Sequence, residues 1–503
     1  MIGLFLESAT GALRRRRTCA RLLGAAVPLL FCLSLPAHAA DWQALRALEN
    51  SGAVVTASAV DLDSGAVLEQ FNAADRLTPA SLTKLAVAAT ALDVWPADKT
   101  FQTRLLGAGT FKDGHIDGDL MLQGMGDSTL DHLALWSLAA QLKGTGVSTI
   151  NGRLVVNTYP FGPLGCETKD RCDALQRSDT AYNAPLSAVA VDYGNWCVDL
   201  RPTGIGSPAV VSTCGTAQAP IPIEGSVKTI GPSGKPTFWV ERVTTADGEK
   251  LRVGGDIPLG GNISVYRAMS DPALGTGLLL REVLREIGIN VTGSVDVVHV
   301  LPPINAYPLA LNEGLSLKEQ LGRMLRFSNN YVADMLTLNL AAAQRSQAPV
   351  QLSDAAKSLS DFIVRIKTAA KSGKTTPPAL FSGSGLTPEN ELSAEDLTSL
   401  LAAQYRNTRN FPAFYGGLVV PRQAPFQFLR VGSPAWLDRV ALKTGTMDDP
   451  HSVCGIAGYI RKKDGGWIAF AAIVNGGQKM RHVPLYKAME AARADVDSIL
   501  ARY

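Results

Sequence analysis

The strongest constraint on the fold is a change of hydrophobic periodicity along the chain. Apolar residues recur at helical spacing before about residue 100, as in 82–92, and again after about residue 305. Between these limits short alternating runs rich in Gly, Pro, Thr and Val predominate, interrupted by one clear helical pattern at 272–287. Helix-rich segments on both sides of a β-rich middle favour an α+β fold, in which one domain is split by a large insertion.

The same change of pattern sets the predicted boundaries. Residues 40–100 and 306–503 are predicted to form the two parts of the split domain, and residues 101–305 the β-rich insertion. A Gly- and Pro-rich stretch at about 196–268 is predicted to be an inner subdomain.

Local signals place individual elements within these parts. Thr78 and Pro79 resemble the N-cap and first residue of a helix, and Ser316 with Glu319 forms a capping box. Further predicted helices cover 331–343, 353–370 and 483–500, and predicted strands cover 53–61, 66–71, 438–446, 452–460 and 466–474. The segment 438–446 is predicted to be an inner strand.

The N-terminus has the order of a secretory signal peptide. Five arginines at 14–17 and 21 precede an apolar run at 22–35, and Ala37-His38-Ala39 offers small residues for cleavage. We therefore assign residues 1–39 to a signal peptide. The alternative is an uncleaved anchor, although an apolar run of about 14 residues is short for a membrane span.

Charge and cysteine content narrow the function classes. Residues 1–39 hold five Arg and one Glu, so the remaining chain has 43 basic and 44 acidic residues, a balance that gives no case for binding nucleic acid.

Export to an oxidising compartment permits disulfides. Four of the cysteines allow three pairings, and short loops favour the pairs Cys166–Cys172 and Cys197–Cys214. Cys454 is predicted to be a buried strand thiol. No metal-site spacing and no cofactor motif is found in the sequence.

The first motif that carries chemistry is Ser81-Leu82-Thr83-Lys84. The i, i+3 spacing puts Ser81 and Lys84 on one helix face, near enough for proton transfer. A serine hydroxyl becomes a good nucleophile only when an adjacent base takes its proton. Ser81 in a first helical turn also directs free backbone N–H groups at a developing oxyanion.

The second motif is Ser328-Asn329-Asn330, between two predicted helices. Ser328 is predicted to bridge proton transfer to a leaving amine. Asn330 is predicted to hold a substrate amide and to help place Lys84.

The third motif is Lys443-Thr444-Gly445, followed by Thr446. Lys443 supplies positive charge for a carboxylate, and Thr444 can hydrogen-bond that carboxylate. Gly445 is predicted to let a substrate backbone lie close to the strand. The N–H of Thr446 is predicted to be the second oxyanion donor, beside that of Ser81.

Each motif alone is weak, and their joint occurrence in order carries the argument. Lys-[Ser/Thr]-Gly occurs twice, but Lys371-Ser372-Gly373 follows a helical pattern and is interpreted as a helix end. Lys443-Thr444-Gly445 instead opens an apolar strand pair.

This order of motifs resembles the penicilloyl-serine transferases. The long gap between Ser81 and Ser328 resembles the class C low-molecular-mass penicillin-binding proteins, which are D-alanyl-D-alanine carboxypeptidases and endopeptidases. Further matches are Pro79 to Leu85, Gly126-Asp127-Ser128-Thr129-Leu130, Phe327 to Asn330, and Gly383-Ser384-Gly385-Leu386. Two departures from the family pattern are Ser382, where an Asp is usual, and the segment 387–390, which lacks the usual basic residue.

The resemblance implies a β-lactamase/transpeptidase-like fold and a periplasmic enzyme that acts on peptidoglycan stem peptides. The expected bonds are D-Ala-D-Ala and D-Ala–meso-diaminopimelate, cleaved through an acyl-enzyme at Ser81 that penicillins and other β-lactam antibiotics also form. No cofactor is expected. In the family a group of the insertion reads the diaminopimelate side chain, and Asp179 is the candidate here.

Three other functions fit parts of the pattern. A serine β-lactamase shares all three motifs, and a D-aminopeptidase or esterase shares the fold. A cell-wall-binding protein that has lost catalysis is the non-enzymatic alternative. Oligomeric state and peripheral association with the membrane stay open at this stage.

Overall fold

The computed structural model describes residues 42–159, 161–165, 180–215, 217–245, 248–344, 351–370 and 375–503. The helices of these residues are α1 Gln43–Asn50, α2 Thr83–Val94, α3 His132–Gly144, α4 Pro272–Glu286, α5 Leu317–Arg326, α6 Asn330–Gln344, α7 Leu352–Ala370, α8 Ala394–Arg406, α9 Phe411–Gly416, α10 Pro434–Arg439 and α11 Leu485–Arg502. None of them is long and apolar enough to cross a membrane.

The strands of the same residues are β1 Val54–Asp61, β2 Val67–Phe71, β3 Gln102–Lys112, β4 His115–Gly124, β5 Thr149–Ile150, β6 Leu154–Asn157, β7 Asn195–Arg201, β8 Val210–Thr213, β9 Ile223–Gly225, β10 Lys228–Ile230, β11 Trp239–Thr245, β12 Gly248–Gly254, β13 Asp256–Pro258, β14 Ile263–Ala268, β15 Asn290–Val291, β16 Val295–Val298, β17 Tyr307–Glu313, β18 Val440–Met447, β19 Val453–Arg461 and β20 Trp467–Asn475.

A five-stranded antiparallel sheet joins the two ends of the chain in the order β18-β19-β20-β1-β2. Its central strands are apolar at nearly every position because helices cover both faces. In β20, Ala469, Ala471 and Ile473 pack with α2 and the other helices of one face. The intervening Phe470 and Val474 pack with α1 and α11 on the other face.

α2 is the central helix of the first face. Its residues 83–92 are all buried, including Thr83, Lys84 and Thr90, so the helix has no exposed side along this length. The regular helix begins at Thr83 and follows a 3-10 turn at Ala80–Leu82. The prediction of Thr78 as N-cap and Pro79 as first helical residue is therefore wrong, and the Thr78 hydroxyl instead donates to the Pro388 carbonyl at 2.9 Å.

From β3 to β17 the chain forms a second group of sheets. One sheet has the order β15-β5-β4-β3-β17, with β6 and β16 attached, and packs against α3 and α4 around a core of its own. Three small sheets, β14-β7-β8, β11-β12-β9 and β10-β13, lie within residues 195–268. The described residues from Trp42 onward belong to one compact unit, and the domain boundaries stay a prediction.

The cysteines that the structure describes follow the sequence prediction. Cys197 and Cys214 form a disulfide, and Cys454 is a buried free thiol. Burial raises the pKa of Cys454 to about 12, so the thiol stays protonated and unreactive at neutral pH. The predicted pair Cys166–Cys172 lies outside the described residues.

We expect the capping box of α5 to hold the helix that leads to the second motif. The Ser316 hydroxyl donates to the Glu319 carboxylate, and that carboxylate also accepts from the Ser316 N–H at 3.0 Å. Ser316→Ala should lower the free energy of unfolding by about 1 kcal/mol, measured by urea denaturation. Ser137→Ala, on the exposed face of α3, is the control and should change it by less than about 0.5 kcal/mol. Equal effects of the two variants would contradict the capping role.

Candidate active site

The nucleophile turn is held in a conformation that side chains rarely adopt. Ala80 has φ 46°, and Ser81 follows it in the 3-10 turn with its side chain partly exposed. Gly385 crosses this turn so closely that a Cβ at that position would lie 1.9 Å from the Ala80 carbonyl oxygen. The N–H of Ser81 is one of the first in the turn, where no helical acceptor precedes it. It is therefore available for a substrate oxygen.

Lys84 is fully buried and its amine has three oxygen neighbours. Nζ lies 2.8 Å from Ser81 Oγ, 2.8 Å from Asn330 Oδ1 and 2.6 Å from the Ser384 carbonyl oxygen. An amide oxygen and a carbonyl oxygen can only accept hydrogen bonds, whereas a hydroxyl can also donate. A neutral amine donating to Asn330 and Ser384 would therefore direct its lone pair at the Ser81 hydroxyl. This arrangement fits a general base.

The second motif lies between α5 and α6, as predicted. Ser328 has φ 57°, a left-handed conformation that is uncommon for a residue with a side chain. Asn329 caps α6 by accepting from the Val332 N–H at 3.0 Å. Asn330 begins the helix and presents its amide to Lys84. Local strain of this kind clusters at functional sites, where the surrounding structure holds it in place.

The middle region of the chain supports this motif, which the sequence did not predict. The carbonyl of Tyr182 accepts from Asn330 Nδ2 at 3.1 Å, and the carbonyl of Ser187 accepts from the Tyr331 hydroxyl at 3.1 Å. Arg323 of α5 donates to the Tyr193 hydroxyl at 2.9 Å. The sequence gives no sign of these contacts. Tyr182 and Ser187 contribute only backbone carbonyls, and Tyr193 is one tyrosine among eleven.

The third motif lies on β18, which is the edge strand of the sheet. The prediction of an inner strand is wrong, because β18 pairs only with β19 along its length. Leu442 exchanges two backbone hydrogen bonds with Val419, so the N–H and C=O groups of Leu442 point away from β19. Strand alternation turns the N–H and C=O groups of Thr444 and Thr446 to the same open side. An edge is required here, since an inner strand would have no backbone groups left for a substrate.

Gly445 lies directly against the nucleophile turn. A Cβ at this position would lie 2.4 Å from the Pro79 carbonyl oxygen and 3.1 Å from the Leu82 nitrogen. The missing side chain therefore lets the strand approach this turn. That approach sets the separation between the N–H of Ser81 and the N–H of Thr446.

Lys443 is the second buried lysine of the cleft, with 1% of its surface exposed. Nζ donates to Ser328 Oγ at 3.0 Å and to the Thr444 carbonyl oxygen. Burial lowers the pKa of Lys443 to about 7, because desolvation disfavours the charged form. Its charge is therefore sensitive to pH near neutrality.

The Gly383-Ser384-Gly385 segment forms a loop against the nucleophile turn and α6. At its start, Asn390 accepts from the N–H of Ser382 at 3.3 Å and donates to the Thr83 hydroxyl at 3.2 Å. Ser382, which stands where the family usually has Asp, accepts from the Gly385 N–H at 3.2 Å. Two sequence predictions cannot be placed. Asp179 and Lys371-Ser372-Gly373 both lie outside the described residues.

Comparison with known proteins identifies the family. Residues 34–496 match the model of the D-Ala-D-Ala carboxypeptidase 3 (S13) family. The chain is 28% identical over 442 residues to a D-alanyl-D-alanine carboxypeptidase of Actinomadura sp., covering 84% of this chain and 78% of that protein. It is 27% identical over 437 residues to the D-alanyl-D-alanine carboxypeptidase DacB of Haemophilus influenzae, covering 83% and 84%.

A solved structure shows the same fold. Penicillin binding protein 4 of H. influenzae superposes with a TM-score of 0.70 at 21% identity, covering 91% of this chain and 99% of that chain. The predicted α+β fold of the β-lactamase/transpeptidase type, with additional β sheets, is thereby confirmed. This fold with these motifs defines a serine peptidase of the penicillin-binding class. The chain belongs to the S13 family of D-Ala-D-Ala carboxypeptidases.

We expect Gly445→Ala to disrupt the oxyanion site. The new methyl group must push β18 away from the Pro79 carbonyl, and a shift of about 1 Å at a reaction centre lowers rates by about 10²-fold. The measurement is the rate of acylation by a fluorescent penicillin. Gly322→Ala is the control, because a Cβ in that part of α5 meets no neighbour within 4 Å. A wild-type rate for Gly445→Ala would contradict the close approach.

Lys443 should destabilise the folded protein in a pH-dependent way. Its pKa is about 7 when folded and 10.5 in an ordinary setting, so the unfolded chain binds the proton more tightly. The destabilisation is complete below about pH 7 and fades as pH rises toward about 10.5. Lys443→Met should therefore raise Tm most at about pH 6, with a smaller gain at about pH 9.

The control for this pH series is Lys357→Met, whose side chain is 70% exposed. It should show little change of Tm and no trend with pH. A gain for Lys443→Met that is the same at every pH would mean that packing alone, rather than the buried charge, sets the effect.

Proposed function

We propose that this enzyme is a serine D,D-carboxypeptidase and D,D-endopeptidase that works through an acyl-enzyme at Ser81. The observation that carries the proposal is the environment of Lys84. Its amine lies 2.8 Å from Ser81 Oγ, while two obligate acceptors occupy its other directions. A buried lysine arranged in this way can take the serine proton.

The proposed acylation uses groups from all three motifs. Lys84 takes the proton of Ser81 as Oγ bonds to the carbonyl carbon of the penultimate D-Ala. The N–H groups of Ser81 and Thr446 bind the oxyanion, and such donors are typically each worth about 10²-fold or more in rate. Ser328 then bridges transfer of a proton to the leaving amine, and the C–N bond breaks. Water hydrolyses the ester with Lys84 again as base, and Ser81 recovers its proton.

Substrate binding is proposed along the open edge of β18. A stem peptide would add to the edge as an extra strand, with its backbone on the outward groups of Thr444 and Thr446. Lys443 and the Thr444 hydroxyl would bind the C-terminal carboxylate of D-Ala-D-Ala. The same geometry would accept the D-Ala–meso-diaminopimelate cross-link, whose leaving group also carries a carboxylate.

β-Lactam antibiotics are proposed to acylate the same serine. A structure of the H. influenzae relative is a complex with a β-lactam, which supports the proposal at the level of the family. The competing function is β-lactam hydrolysis by a serine β-lactamase. A penicilloyl adduct that persists for many minutes favours the peptidase, whereas rapid turnover of penicillin favours the lactamase.

The proposed compartment is the periplasm. The basic and apolar segments of residues 1–39 support export, and the disulfide Cys197–Cys214 is a bond that persists in oxidising compartments.

The central test is incubation of the purified protein with cross-linked muropeptides. Mass analysis should detect release of terminal D-Ala and cleavage of the D-Ala–diaminopimelate bond. Ser81→Ala should abolish both products and also labelling by penicillin. Ser137→Ala, which changes an exposed serine far along the chain, should retain all three activities. Labelling that survives Ser81→Ala would show that another residue is the nucleophile.

A further inference from the structure

We propose that Asp334 is a positioning residue of the acylation step, which fixes the Ser384 carbonyl on the Lys84 amine and adjusts the proton affinity of that amine. The inference rests on the proposed role of Lys84 as base and deepens it. Neither the sequence motifs nor their spacing assign Asp334 any function.

The contacts form a short relay. Asp334 is fully buried in α6, one helical turn after Asn330. Its Oδ1 accepts from the Ser384 N–H at 2.7 Å, and the Ser384 carbonyl accepts from Lys84 Nζ at 2.6 Å. α6 therefore acts on Lys84 at two points, directly through Asn330 and indirectly through Asp334 and Ser384.

The loop depends on this carboxylate for its position. Gly383 lies directly on α6, where a Cβ would be 2.0 Å from Thr337 Oγ1. Asn390 anchors Ser382, and Asp334 anchors Ser384, so the two ends of a three-residue segment are held by different elements. Without the second anchor, nothing in these contacts directs the Ser384 carbonyl at Lys84.

The charged groups around Lys84 have opposite effects on the protonation of its amine. A buried carboxylate on α6 favours the ammonium form, and Lys443 on β18, which contacts Ser328, favours the neutral amine. The neutral groups in contact with the amine include Ser81, Asn330 and the Ser384 carbonyl. Asp334 thus opposes Lys443, and the balance of the two sets the pH at which Lys84 becomes a base.

The test is the pH dependence of acylation by a fluorescent penicillin. Asp334→Asn keeps an oxygen acceptor for the Ser384 N–H but removes the charge. The acidic limb of the rate profile should move to lower pH by about one unit, because the ammonium form loses a stabilising charge. The alkaline limb, which reports Lys443 with its pKa of about 7, should keep its position.

Two further variants separate charge from shape. Asp334→Glu keeps the charge in a longer side chain, so the acidic limb should stay in place while the maximal rate falls by about 10-fold or more. Thr337→Val is the matched control, because Thr337 touches the same loop but its hydroxyl donates to Ala333 O of its own helix at 2.8 Å. Its profile should be that of the wild type.

Thermal unfolding of the same variants distinguishes a positioning role of Asp334 from a purely structural one. A lower Tm for Asp334→Asn with an unmoved acidic limb would overturn the proposal, as would a shifted limb in Thr337→Val. If Asp334→Asn does not fold, an acidic limb that moves in Asp334→Glu overturns it instead. Ser81→Ala in the same assay tests the proposed function separately, because labelling of that variant would remove Ser81, and not Asp334, from the mechanism.

Discussion

The catalytic cleft is organised by the burial of two lysine amines. Lys84 and Lys443 are 0% and 1% exposed, and an amine without water is strongly destabilising unless protein acceptors replace its hydration. Those acceptors come from three separate parts of the chain: Ser328 and Asn330 at the start of α6, Ser384 on a loop, and Thr444 on β18. Much of the core can be understood as the scaffold that brings these acceptors together.

The two buried lysines differ in their hydrogen-bond partners and therefore in their chemistry. Two Lys84 partners, Asn330 Oδ1 and the Ser384 carbonyl oxygen, can only accept hydrogen bonds, so a neutral Lys84 amine that donates to them can receive the Ser81 proton. Lys443 donates to Ser328 and its own strand, and its lowered pKa means that its charge is easily lost above neutral pH. Under the proposed function, the positive charge of Lys443 attracts the substrate carboxylate. Stability is sacrificed for this, as active sites commonly require.

The middle region of the chain makes direct contacts with the helices of the cleft. Residues of the segment 182–193 contact α5 and α6 on both sides of the strained Ser328 loop. A left-handed residue at this point persists only when its surroundings determine it. The insertion therefore stabilises the Ser328 loop, in addition to any role in substrate binding.

Positive φ values occur at or next to the first serine of two of the motifs. Ala80 precedes Ser81, and Ser328 itself has this conformation, and each is held by a close backbone approach or by hydrogen bonds from another element. Gly385 and Gly445 make these approaches physically possible. The site is thus preorganised by backbone contacts that no side-chain motif records.

The sequence by itself determined what depends on local spacing. The i, i+3 relation of Ser81 and Lys84, the capping box at Ser316 and the apolar strand pair after Lys443 all follow from periodicities of one helix or one strand. Only the tertiary structure decided that β18 is an edge strand, that Thr78 is not a cap, that Gly445 serves the nucleophile turn, and that Ser384 with Asp334 completes the Lys84 environment. The physical reason is separation along the chain. Lys84 lies 246 residues from Asn330 and 300 from Ser384, and contacts over such distances are fixed by packing of whole elements rather than by any local pattern.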